Sequence, residues 1–119
     1  MNIKPNQFDI LTKLLNASEM RHQVISENLA NVNTPGYHRL DVTFEENLAR
    51  LLQRSSEPDV SGLKPEVSEV QGLPERVDGN NVDMDKEIGY LSKNAMLHET
   101  FSQVLASKLS MMRSAITGR

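Results

Sequence analysis

The residues of this chain best suited to chemistry are acids and imidazoles, and their spacing decides what they can do. The run Asp78-Gly79-Asn80-Asn81-Val82-Asp83-Met84-Asp85-Lys86-Glu87 is acidic and contains a glycine, as a calcium-binding loop does. Such loops place oxygen ligands at alternate positions around a fixed glycine and close on a bidentate glutamate. Counted from Asp78, the fifth position is Val82, the sixth is Asp83 and the twelfth is Gly89, so the ligand set fails. Asp78-Gly79 reads instead as a turn, Asp83 as a helix N-cap, and Asp85 and Glu87 as first-turn acids favoured by the helix dipole. His22 and His98 can meet if two helices pair, but no third ligand follows at a usable spacing. They are read as a polar layer that fixes register, not as a metal site. The sequon Asn16-Ala17-Ser18 falls inside a helical stripe and is coincidental. No Ser-His-Asp order, paired-carboxylate cleft or glycine-rich phosphate loop can be assembled. With no cysteine, neither thiolate chemistry nor a disulfide is available. The expectation is a protein with no catalytic residues, no cofactor and no metal.

The elements that must position these residues are two long stripes. Ile88, Leu91, Ala95, His98, Ser102, Leu105, Leu109, Met112 and Ile116 recur in steps of three and four, predicting a helix over 83–117. Phe8, Leu11, Leu15, Ser18, His22, Ile25, Leu29 and Val32 do the same, predicting a helix over 6–32. Every polar break in either stripe is a Ser or a His. An antiparallel pairing whose position numbers sum to about 120 sets His22 against His98, Ser18 against Ser102 and Ile25 against Ala95. It also sets Leu29 against Leu91 and Leu11 against Leu109. The expected fold is all-α, an antiparallel coiled-coil pair with a short middle helix and an irregular loop, forming a single domain over 1–119.

Between the stripes, Asn33-Thr34-Pro35-Gly36 must stop the first helix. Pro35 biases Thr34 away from helical dihedrals, and Pro-Gly suits the centre of a type II turn with Gly36 at positive φ. Asn31 and Asn33 can close the orphan carbonyls of the last turn. This turn and its extension occupy 33–42. A helix over 43–54 follows, with Thr43 and Glu46 as a capping box and Phe44, Leu48, Leu51 and Leu52 on one face. Residues 55–82 show no period and hold Pro58, Pro65, Pro74, Gly62 and Gly72, so they read as a mobile acidic loop with a short extended piece near 66–70.

Composition narrows the partners. Residues 41–87 carry twelve acidic and five basic groups, while residues 88–119 carry one acidic and four basic. An acidic middle between mildly basic ends argues against nucleic acid. No apolar run approaches the roughly 18 residues a membrane span needs, and Met1 to Gln7 lacks the features of a cleavable secretory signal. At 38% apolar residues with five aromatics, two helices sharing one seam need neighbours to be fully ordered.

The segment Ile25-Ser26-Glu27-Asn28-Leu29-Ala30-Asn31-Val32-Asn33-Thr34-Pro35-Gly36-Tyr37 closely resembles the N-terminal signature of bacterial flagellar rod and hook axial proteins. In that family an Ala-Asn pair leads, two residues on, into Asn-Thr-Pro-Gly-Tyr. Asp78-Gly79-Asn80-Asn81-Val82-Asp83-Met84-Asp85-Lys86-Glu87 is similar to a signature of the short proximal rod subunits, which lack large inserted domains. The resemblance implies a structural subunit that polymerises helically, transmits torque and lines an export channel. It further implies Asn28, Ala30, Asn31, Asn33, Thr34, Pro35, Gly36 and Tyr37 shaping one turn, and Asp78, Gly79, Asn80, Val82, Asp83, Asp85 and Glu87 shaping its match. Implied partners are further copies, other rod proteins, the membrane-ring junction protein and the flagellar type III export gate, at the basal body and without a cleaved signal. The alternative is a small helical adaptor binding one partner helix in a groove.

Overall fold

The structure, a computed structural model, describes residues 5–118. Its elements are α1 (Pro5–Ala30), β1 (Leu40–Thr43), α2 (Glu45–Arg54), β2 (Glu66–Glu69) and α3 (Met84–Thr117). α1 and α3 pack against each other along an elongated body of 64 × 31 × 16 Å. α3 starts where local chemistry demands: the Asp83 carboxylate accepts the Lys86 N–H at 3.1 Å, and Asp85 and Glu87 sit in the first turn. It ends on Gly118 at φ +73°, whose N–H donates to the Ser114 carbonyl at 2.8 Å. α1 ends at Ala30, two residues earlier than its stripe suggests, because the Asn31 and Val32 N–H groups turn back to the Asn28 and Leu29 carbonyls.

The fold is mostly helical rather than all-α. β1 and β2 form an antiparallel pair running from Leu40 opposite Glu69 to Thr43 opposite Glu66, and the Val70 N–H extends it to the Arg39 carbonyl. Thr43 is therefore the last residue of a strand, and the expected capping box is not made; Phe44 takes the N-cap position without a side-chain hydrogen bond. Its ring is fully buried, forming a core with Ala17, Leu48 and Val60 that Ile10, Leu14, Leu51 and Leu63 flank. Leu52, expected on the same face, points to solvent. Lys13 of α1 donates to the Leu63 carbonyl at 3.0 Å, tying the 55–82 segment to α1.

A regular coiled coil describes the α1–α3 pair only approximately. Of the seam residues, Ile25 is buried; Phe8, Leu11, Leu15, Leu29, Leu91, His98 and Leu105 are half-buried; His22, Ile88, Ala95, Leu109 and Met112 are exposed. The residues fully buried along these helices include polar ones: Ser18, Asn28, Glu87 and Asn94. Pairs that touch across the interface, Asn28–Glu87, Ser18–Asn94 and Glu19–His98, run three to eight positions short of the expected register. The cause is polar: Asn94 donates to the Ser18 carbonyl at 2.7 Å, and Asn28 donates to Glu87 at 3.3 Å. A buried donor or carboxylate must find its partner, whereas apolar stripes slide by a turn at little cost. His22 and His98 remain neighbours around one open surface pocket, with His98 Nε2 3.7 Å from Glu19, and form no buried layer.

Candidate functional site

Both turns marked by their motifs come together at one end of the helix pair. Thr34, Pro35, Gly36 and Tyr37 close a turn in which the Tyr37 N–H donates to the Thr34 carbonyl at 3.2 Å. Gly36 lies at φ +75°, the dihedral a type II turn requires at that place. Asn31 braces it, donating from Nδ2 to the Glu27 carbonyl at 2.8 Å and accepting the Thr34 hydroxyl at 3.0 Å. The second turn is closed by the Gly79 N–H on the Arg76 carbonyl at 2.9 Å and the Arg76 N–H on the Asn80 carbonyl at 2.8 Å. Gly79 lies at φ +84° against Gly36, where a Cβ would sit 3.4 Å from the Gly36 Cα. Positive φ favours glycine at both places, and the two backbones meet there at van der Waals distance.

Side chains then sew the turns into a clasp. Asn80 is fully buried; its Nδ2 donates to the Asn31 and Thr34 carbonyls at 2.9 and 2.8 Å, and its Oδ1 accepts the Val82 N–H at 2.7 Å. The Gly36 N–H donates to the Asp78 carbonyl at 2.8 Å, and the Asn81 N–H donates to the Tyr37 carbonyl at 3.2 Å. Arg76 bridges the same elements, donating to the Val82 carbonyl at 2.8 Å and to the Val32 carbonyl. Val82 closes the inner side as a buried apolar residue, while Ala30, Asn33, Pro35 and Asp85 are exposed.

Beneath the clasp lies a buried polar knot. Asn28 accepts the Leu40 N–H at 2.9 Å and the Tyr37 hydroxyl at 3.0 Å, and donates to the Leu40 carbonyl at 2.8 Å. Its amide also reaches Glu87, whose carboxylate takes the Arg39 Nε and, at 3.5 Å, the Arg39 Nη2. The Arg39 N–H donates to Asn81 Oδ1 at 2.7 Å, and its guanidinium lies 4.9 Å from the centre of the Tyr90 ring. Burial lowers the Arg39 pKa, but the hydrogen bond and charge of Glu87 outweigh it, so the guanidinium stays charged. Burial, followed by the Glu27 and Glu87 charges, raises the Tyr37 phenol, which stays a neutral donor.

Sequence reasoning identified Asn28, Asn80 and Glu87 through their motifs but missed Arg39, Asn81, Arg76 and His38. Arg39 is a lone cation after the first motif; only the packing of β1 on α1 gives it a buried partner. Asn81 stood as a free position inside the second motif. Among the described residues, no cluster of three metal-ligating side chains forms. The arrangement binds backbone to backbone, and its chemistry is mechanical.

His38 carries one pH-dependent contact. Its Nδ1 lies 2.6 Å from Glu69 on β2 and its Nε2 lies 2.9 Å from Glu75 in the following loop. The hydrogen bond to Glu69 raises its pKa most, with both glutamate charges and a backbone contact at Gly79 adding to it against desolvation. A raised folded pKa means the contribution is fully present below about pH 6.5 and is lost as pH climbs through the folded value. The gap in unfolding midpoint between the parent and His38→Ala is expected to be largest below about pH 6.5 and to shrink as pH rises above it. A gap that does not change as pH rises from below to well above that value contradicts the assignment.

Comparison with known proteins adds a family. The family described as "Flagella basal body rod protein" matches residues 15–38. The flagellar basal body rod protein FlgB of Borrelia hermsii is 33% identical over 125 residues, covering 89% of this chain and 92% of the relative. FlgB of Salmonella typhimurium is 28% identical, covering 87% and 88%, and FlgB of Aquifex aeolicus is 27% identical, covering 93% of each.

Proposed function

Because this chain belongs to the FlgB family of flagellar basal body rod proteins, a structural subunit of the rod and not an enzyme, we propose that the clasp is the rigid joint that holds its two long helices for assembly. Membership places it in the basal body and among other rod proteins. Our reading goes further: copies polymerise helically, transmit torque, line the export channel, and meet the membrane-ring junction protein and the type III export gate. Export through the flagellum's own apparatus, with no cleaved signal, belongs to the same reading. In it, Asn28, Asn31, Thr34, Gly36 and Tyr37 shape the joint where α1 ends, and Asp78, Gly79, Asn80, Val82, Asp83 and Glu87 shape it where α3 begins.

The observation that carries this reading is the number of large apolar side chains that α3 leaves exposed along its length and around its circumference. Met96 is 71% exposed, Leu109 51% and Ile116 80%, and Met84, Ile88 and Val104 are exposed with them. Exposed apolar side chains on several sides of one helix are surface left for more than one neighbour. Met96→Glu should leave the unfolding free energy of the free chain within about 0.5 kcal/mol, since its side chain packs on little. Burying that carboxylate against a neighbour costs far more. Basal bodies isolated from cells carrying Met96→Glu are expected to hold about tenfold less of the chain than those carrying the parent. Equal incorporation of the two contradicts the proposal.

A further inference from the structure

The two outer edges of the β1–β2 pair are treated differently. In an antiparallel pair, alternate residues bond inward to the partner strand and the others turn their N–H and C=O groups outward. The Val70 N–H bonds the Arg39 carbonyl, so in this register Asp41, Thr43, Glu66 and Ser68 bond inward. Leu40 and Val42 on β1, and Val67 and Glu69 on β2, turn outward. Side chains close the outward groups of β1. Asn28 accepts the Leu40 N–H and donates to its carbonyl, Asp41 accepts the Val42 N–H, and Arg21 donates to the Val42 carbonyl. The outward groups of Val67 and Glu69 meet no hydrogen-bond partner among the described residues, and β2 is exposed at every position.

An open edge of this kind is a template for a further extended chain, and the side chains of β2 say which. Residues alternate between the two faces of a strand. One face carries Val67, 47% exposed, opposite the buried Val42; Glu69 shares that face but is held by His38. The other face carries Glu66, which enters no ion pair among the described residues, with Asp41 diagonally behind it. The edge therefore offers an apolar contact on one side and a carboxylate on the other. Residues 66–78 hold four acids and one base, so pairing with β2 of a second copy would bring like charges together. A strand in which apolar and basic residues alternate matches both faces at once.

We propose that the outer edge of β2 receives an extended segment of a different protein, one whose apolar and basic residues alternate. Its backbone bonds the outward N–H and C=O groups of Val67 and Glu69. Its apolar side chains lie beside Val67, and its basic side chains lie beside Glu66. The incoming segment adds a third strand to a pair that two short strands hold only weakly on their own. The site uses no group of the clasp and does not rest on the rod-subunit reading.

Fluorescence anisotropy of a short labelled peptide of alternating lysine and valine, titrated with the purified full chain, tests it. The parent should bind the peptide saturably. Val67→Pro removes one outward N–H and leaves the inward ladder in place, as proline does on an edge strand; it should weaken binding about tenfold. Glu66→Lys should weaken it about tenfold as well, by setting like charges together. A peptide of the same composition, with its lysines and valines in separate blocks, should bind the parent about tenfold more weakly. No binding to the parent overturns the proposal. Equal binding of Val67→Pro overturns it too, because the edge is then not used. Equal binding of the block peptide shows attraction by charge alone and also overturns it. If Val67→Pro lowers the unfolding midpoint, the block peptide decides, since it leaves the protein unchanged. A parent that sediments as a dimer, and that Val67→Pro returns to monomer, gives the edge to a second copy and overturns the proposal.

Discussion

Glu87→Ala is expected to destabilise the chain by about 3–5 kcal/mol, a large fraction of the roughly 5–15 kcal/mol that holds a domain together. The carboxylate is fully buried, and it is the counter-ion of Arg39 and an acceptor for Asn28. Removing it leaves a guanidinium in a low-dielectric pocket without its hydrogen-bonded counter-ion, compensated only by the Asp41 charge and the Tyr90 ring. The penalty is that of an orphaned charge, not the net worth of the pair. The double replacement Arg39→Met with Glu87→Leu should therefore recover most of the loss, since Asn28 keeps its three bonds to Leu40 and Tyr37. Urea unfolding of the three proteins measures this directly. A Glu87→Ala chain within about 1 kcal/mol of the parent would show that the knot is not sealed from water.

Phe44→Ala is expected to cost about 3–5 kcal/mol for a different reason, the cavity left by a fully buried ring. Phe44 joins β1 to α2 and packs on Ala17 of α1 and Val60 of the following loop. Losing it should loosen α2 and the 55–65 segment from α1 while sparing the clasp, whose hydrogen bonds lie elsewhere. Leu52→Ala, on the same helix but 42% exposed, should change stability by no more than about 0.5 kcal/mol. Equal effects of the two substitutions in urea unfolding would remove Phe44 from the core.

What the sequence made legible here is local, and what stayed hidden is long-range. Pro35 and Gly36 declare a type II turn because their dihedral limits act within four residues, and Asp83 declares a helix start because a cap needs only the next turn. Two apolar stripes declare that α1 and α3 pair. They do not declare the register, because stripes of Leu, Ile and Ala accept several offsets at similar cost. The offset is chosen by Asn28, Asn94 and Glu87, and Glu87 draws on Arg39, which lies outside both helices. The β1–β2 pair was hidden for a similar reason. Residues 66–70 read as a short extended piece, but Glu66-Val67-Ser68-Glu69 is exposed at every position, so no buried face marks its partner; the extended chain leaving Tyr37 supplies the edge it pairs with. Of the clasp, the motif residues could be named in advance, but their partners across 42 to 59 positions of chain could not.

The central claim is that the two turns form one rigid joint, and amide hydrogen exchange of the free chain tests it most directly. The N–H groups of Gly36, Leu40, Asn81 and Val82 each donate across or within the clasp, to Asp78, Asn28, Tyr37 and Asn80. The account predicts protection at these four amides comparable to the middle of α1, lost together in Glu87→Ala. Exchange at the rate of an open loop in the parent, with α1 still protected, would show two separate turns and contradict it.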